Sequence, residues 1–238
     1  MDQTRPKNLS PAIRASFENG TRLLEDSQYL LEYGCFPTAY ALSILAQEEY
    51  AKTFLLFLVQ DGAVPWNSNV HHALRDHTCK QLVGTVMDYL DAEWEKYLET
   101  LKISGKVEFP SHIADALNIL SHEKMPKGSK EYITPWRGDD EYPCDRQARA
   151  VADGKIDKQK QSAFYVGVGK TGQVNSTPLK VTKNDATIEF EKTKRLKGIF
   201  NPFGKNIEIL KTCEFEKVSD SFRLLFGSIT IEEYEKRW

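Results

Sequence analysis

Between Ala39 and Val59 the chain is apolar on nearly every side of a helix, through Ala39, Ala41, Leu42, Ile44, Leu45, Ala46, Ala51 and the run from Phe54 to Val59. A helix that is hydrophobic all round has to be covered all round, so this segment belongs in the middle of a bundle. It nonetheless holds Glu48, Glu49 and Lys52. In helical steps, Ala41, Leu45, Glu48, Lys52, Leu55 and Val59 form one stripe, and Leu42, Ala46, Glu49 and Leu56 form the stripe beside it. A buried carboxylate or ammonium without a partner is too costly to keep. These charges therefore pair with one another, pair with neighbouring helices, or line a cleft.

The flanking sequence supplies the neighbours. Ser10-Pro11 reads as a helix start, with Ser10 as N-cap and Pro11 at the first helical position. Ile13, Phe17, Leu24 and Leu31 recur behind it at helical spacing, and Gly34 is the stop. The middle helix runs from about Pro37 to Gln60 and ends at Asp61-Gly62. The short link makes the first two helices an antiparallel hairpin. A third helix is expected from about His71 to Leu101, with Leu74, Leu82, Val86, Tyr89, Leu90, Trp94, Tyr97 and Leu101 on its apolar face.

Pro110, Pro126, Pro135 and Pro143 then break the pattern. They leave one short helix from Ile113 to Leu120 and an irregular excursion from Lys124 to Asp145. A β-like run from Ala163 to Val168 stops at Gly169 and Gly172. Thr182 caps a further helix, with Asp185 three residues on. Residues 207–226 and 231–238 read as the last helices. The expected fold is mainly α: a helical core over 8–102, an irregular insertion with a short strand over 103–180, and C-terminal helices over 181–238 that complete the bundle.

Composition excludes several classes. Residues 1–103 carry nine Lys/Arg against 14 Asp/Glu and the remainder 23 against 20, so neither part is a strongly basic nucleic-acid surface. Cys35, Cys79, Cys144 and Cys213 form no CxxC pair, which argues against a thiolate zinc site and for a reducing compartment. The start has no apolar signal core, and the most apolar run, Phe54 to Val59, is far short of the roughly 20 residues that span a bilayer. The expectation is a cytoplasmic protein with no membrane contact. Gly167, Gly169 and Gly172 read as a turn rather than a phosphate loop, and the lysines over 155–160 and 192–197 as solvated faces that are also the best local candidates for phosphate contact. His71-His72 reads as a solvated helix start. No metal and no cofactor is expected.

Two other helices offer partners for the buried charges. Asp26 shares a face of the first helix with Asn19, Leu23, Leu30 and Tyr33; His77 and Lys80 share a face of the third. Packing the three helices would gather Asp26, Glu48, Glu49, Lys52, His77 and Lys80 into one mixed-charge cluster. Such a cluster is either a salt-bridge network that fixes helix register or a cleft in which carboxylate, imidazole and ammonium act as acid, base and anion stabiliser.

The stretch from Ala39 to Lys52, where small and apolar residues lead into Glu48-Glu49-x-x-Lys52, resembles the AbiV abortive-infection family, whose helical core is of the HEPN type. Asn19-Gly20 and Asp26-Ser27 match the family's first helix in part. His77-x-x-Lys80 matches its third helix, and Phe164-Tyr165-Val166 followed by Pro178 and Ala186 matches a later segment. The resemblance implies a HEPN-like antiparallel bundle and a role in stopping an infected cell before phage can spread. It also implies a homodimer and the metal-independent ribonuclease activity of many HEPN proteins. Their Arg-x4–6-His motif is absent here, since Arg75 and His77 lie too close together. Any cleavage would fall to Glu48, Glu49, Lys52, His77 and Lys80.

Three functions stay open on this reading. The chain is a defence effector that a phage-encoded activator protein switches on to block gene expression, through protein or RNA. Or it is a ribonuclease using the polar cluster. Or the cluster is structural and function sits on the 103–180 segment.

Overall fold

A computed structural model describes residues 6–90, 109–126, 145–203 and 206–238. Ten helices and two short antiparallel strand pairs make up the described chain. Helix α1 (Ser10–Glu32) and helix α2 (Phe36–Gln60) form the expected hairpin, each with a proline in its first turn. Ser10 is inside α1 rather than its cap: Leu9 holds that place, and the Ser10 amide is taken by Asn8 Oδ1 at 2.9 Å. The turn between the helices passes through Gly34 at φ +78°, which a residue with a Cβ rarely adopts.

Helix α2 is the middle of the bundle, with buried residues on every side. The helix α1 seam is close: Ser27 Oγ donates to Ala39 O at 2.8 Å, and a Cβ on Gly20 would meet Tyr50 Cε1 at 2.9 Å. Gly20→Ala therefore forfeits the gain of about 1 kcal/mol that alanine usually brings to a helix interior. It forces the fully buried Tyr50 ring aside at about 1–3 kcal/mol. A net loss near 1 kcal/mol is expected in chemical denaturation; a gain would show that the seam can give.

The expected third helix is two. Helix α3 (Ser68–Ala73) stops, and helix α4 (His77–Met87) starts afresh because Asp76 caps it, its side chain accepting from Cys79 N at 2.7 Å. A 3-10 turn, Asp88–Leu90, follows α4; the rest of the expected helix, 91–101, lies outside the described residues. The excursion expected from Lys124 to Asp145 lies outside them over 127–144.

Helix α5 (Ser111–Ile119) confirms the short helix expected there, and a π-helical turn, Leu120–Lys124, extends it. Two helices follow inside the segment expected to be irregular: helix α6 (Arg146–Ala152), capped by Asp145, and helix α7 (Lys155–Phe164). Helices α4 and α7 both pack on α2, and α5 and α6 pack on α4. Of the β-like run, Ala163 and Phe164 end α7, and Tyr165 and Val166 belong to no regular element. Only Gly167–Val168 (β1) is strand, paired with Val174–Ser176 (β2) through a turn at the glycines.

Helix α8 (Lys183–Gly198) begins at the Thr182/Asp185 capping box and lies along α2 and α1. It is fastened by Gln47 Nε2, which donates to Thr193 Oγ1 at 2.9 Å. Where a helix was expected from residue 207, a hairpin intervenes: β3 (Phe200–Phe203) and β4 (Asn206–Ile209). Phe200 anchors it among Phe17, Tyr50 and Phe57, at ring separations of 5.7, 6.1 and 6.2 Å. Helix α9 (Cys213–Leu225) and helix α10 (Ile231–Arg237) end the chain. Buried Asp220 on α9 binds Arg223 and Arg237, and Arg223 also reaches Asp61 at the end of α2. One continuous apolar core joins helices α1–α6, α8 and α9 and the hairpin β3–β4, with Ile156 of α7 packed against it.

Candidate functional site

Glu48 is 1% exposed in the middle of α2, and donors reach it from two other helices. From α4, His77 Nδ1 lies 2.5 Å from Glu48 Oε2, Lys80 Nζ lies 3.1 Å from the same oxygen, and Gln81 Nε2 donates to Oε1 at 2.9 Å. The spacing of His77, Lys80 and Gln81 puts all three on one face of α4. From α7, Lys160 Nζ donates to Glu48 Oε1 at 2.7 Å and lies 2.8 Å from Asp157 Oδ1.

Burial pushes the Glu48 carboxyl up, but the Lys80 charge and the bonds from Lys160 and His77 outweigh it and hold the group below the usual carboxylate value. An ionised Glu48 only accepts, so His77 donates its Nδ1 proton to it. The Lys160 ammonium, 3.0 Å from Nδ1, has no lone pair for that proton and is turned to Glu48 and Asp157 instead. With the Nδ1 proton donated to Glu48, the form of the imidazole that acts as a base carries its lone pair on Nε2. The His77 side chain is 48% exposed, whereas those of Lys80 and Lys160 are 8% and 7% exposed. The centre presents one solvent-facing base, oriented from behind by a buried carboxylate that two buried ammonium groups keep charged.

Glu48, His77 and Asp157 offer ligand atoms within 4.8 Å of one another. Lys160 Nζ stands where those atoms converge, so a covalently held cation takes the position a metal would need. His72, Asp76 and Cys79 also cluster. There burial, with Asp76 beside it, pushes the Cys79 thiol up to about 12, which makes it a neutral packing group. Asp76 serves α4 as its cap.

Of the six residues expected to cluster, Glu48, His77 and Lys80 come together. Asp26 does not: it pairs on the surface with Arg22 at 2.8 Å, because its face of α1 turns away from α4. Glu49 and Lys52 pair with each other at 2.7 Å, with side chains 16% and 26% exposed, and form no bond to His77, Lys80 or Lys160 among the described residues. Lys52 shares the Glu48 stripe but lies one turn on, past the reach of His77 and Lys80. Since Glu49 and Lys52 meet solvent, Glu49→Gln is expected to change unfolding free energy by less than about 1 kcal/mol. A loss several times larger would mean that the pair is sealed from water.

Lys160, Asp157 and Gln81 were missed. Lys160 lies in a run of lysines expected to be solvated, yet it is 5% exposed. Its one signal is spacing: Ile156, Lys160 and Ala163 share a helix face, which sets this lysine on the apolar side.

A mainly helical bundle built round one covered helix is the fold that the resemblance implied. The family model HEPN_AbiV, described as AbiV, matches residues 8–197, and the chain belongs to that family. No match was found among curated proteins or among solved structures. Membership points to abortive-infection phage defence, as the resemblance implied. No helix among the described residues is long and apolar enough to cross a membrane.

Proposed function

We propose that this chain is a bacterial abortive-infection effector that blocks gene expression in infected cells by acting on RNA at His77. The observation that carries this reading is a half-exposed imidazole held by a nearly fully buried carboxylate. A neutral Nε2 in that setting can take the proton of a ribose 2′-hydroxyl. The 2′-oxygen then attacks the adjacent phosphorus, the bond to the 5′-oxygen breaks, and solvent returns a proton to the leaving oxygen. Lys80 and Lys160 keep Glu48 ionised rather than touching phosphate, since both are spent on it. On this reading the protein works in the cytoplasm as a homodimer and stays silent until a phage-encoded protein binds it.

The deciding experiment is phage plating on cells that carry the wild type or His77→Ala at equal protein levels. The wild type should suppress plaques and His77→Ala should not. Full protection by His77→Ala would dismiss a chemical role for the ring. It would favour a second reading with its own support: each ion in the centre already has a counter-ion, so the cluster is a staple fixing the register of α2, α4 and α7. The chain would then act by binding a protein.

A further inference from the structure

A second feature lies at the C-terminal end of α2 and shares no lining residue with the Glu48 centre. A cleft of about 550 Å³ opens between the ends of α1 and α2, the hairpin β3–β4 and the start of α9. Ile13, Phe57 and Phe215 give it apolar walls, and all four residues of β4 line it. A strand that faced the cleft with one surface would contribute alternate residues only. The whole of β4 contributes, so the cleft runs along the edge of the strand.

The hairpin register says which main-chain groups stand at that edge. Leu210 N donates to Ile199 O, and the pairing continues as Phe200 with Ile209, Asn201 with Glu208 and Pro202 with Ile207. Hydrogen-bonded and non-bonded pairs alternate in an antiparallel ladder. Asn201 with Glu208 is therefore a bonded pair, whereas Ile207 and Ile209 turn their N–H and C=O groups away from β3. No other strand among the described residues pairs with that edge. The opposite edge is blunted by Pro202, which has no N–H to offer.

Size agrees with one occupant. Four residues of strand run about 13 Å, and an added strand fills roughly 4.8 by 10 Å in section, a volume of the same order as the 550 Å³ of the cleft. The family match stops at residue 197, so the hairpin that forms this wall belongs to the part of the chain beyond it.

We infer that the outer edge of β4 is a docking site for an extended peptide segment of a partner protein, which adds as a third strand. Main-chain bonds from Ile207 and Ile209 supply the affinity, and the walls select apolar side chains at alternate positions.

The test uses the whole chain and a synthetic library of random peptides of about eight residues. Enriched peptides should alternate apolar and polar residues and protect the Ile207 and Ile209 amides from hydrogen exchange. Ile207→Pro removes an outward N–H and leaves the bonds to β3 in place; it should weaken binding tenfold or more, about 1.4 kcal/mol. Ser10→Trp, which fills the cleft from α1, should do the same and covers the case in which the proline variant does not fold. His77→Ala should bind as the wild type does, so the result stands apart from the fate of the RNA reading. Failure to enrich any peptide, binding that leaves those amides unprotected, or binding unchanged in both edge variants would overturn the inference. Protection gained merely by concentrating the protein would also overturn it, by giving the edge to a second copy of the chain.

Discussion

Glu48→Gln is expected to cost about 3–5 kcal/mol, because it leaves two buried ammonium groups facing a neutral amide. For a chain of this size that is a fall in Tm on the order of 10 °C. Lys80, 6% exposed, loses its counter-charge outright; Lys160 keeps Asp157. Adding Lys80→Met should recover part of the loss, since it removes the orphaned charge. The pH dependence has a definite sign. The Glu48 carboxyl is held below its usual 4.5 in the folded chain. Its contribution is therefore full above about pH 4.5 and lost as pH falls through the lowered value. The gap between wild type and variant should be flat through neutral pH and close only in acid. Equal melting of the two proteins at pH 7 would show that Glu48 is not the hub of the centre.

His77→Ala should have the opposite signature. The ring is half exposed and its removal strands no charge, because Glu48 keeps Lys80 and Lys160. Stability should shift by no more than about 1 kcal/mol, as for an exposed pair. Turnover of RNA by activated protein should fall by about 10²–10⁴-fold, the usual worth of a positioned general base. Comparing His77→Ala with Glu48→Gln thus separates chemistry from scaffolding: one loses activity with little change in melting, the other loses both. Wild-type turnover in the His77 variant would assign any cleavage to another group.

The hairpin of α1 and α2 was legible because its period and its stop are local. Ile13, Phe17 and Leu24 mark the face, and Gly34 marks the turn. Glu48 stood out because a charge in a covered stripe has no cheap explanation, and His77 and Lys80 because three-residue spacing is easy to see. Lys160 was hidden by its neighbours: Lys155 and Lys158 look identical in sequence, and only tertiary packing decides which lysine turns inward. The break at Asp76 was lost inside a longer apolar pattern, where one capping side chain outweighed Leu74 and Leu82. The strands β3 and β4 hold four residues each, with a proline in the first, too short for alternation to outvote helical spacing. Asp26 failed for a geometric reason: sharing a face with Leu23 does not say which neighbour that face meets.

The ion ladder from Asp61 through Arg223 and Asp220 to Arg237 has a thermodynamic consequence. Helix α10 has seven residues, well below the length at which an isolated helix persists in water. It holds its shape because Asp220, itself buried, grips Arg237 and the Trp238 indole while Arg223 grips the end of α2. The tail and the central helix share one set of charges, so loosening either weakens the hold on the other. In a calorimeter they should unfold as a single endotherm, without a separate low-temperature shoulder for the chain terminus.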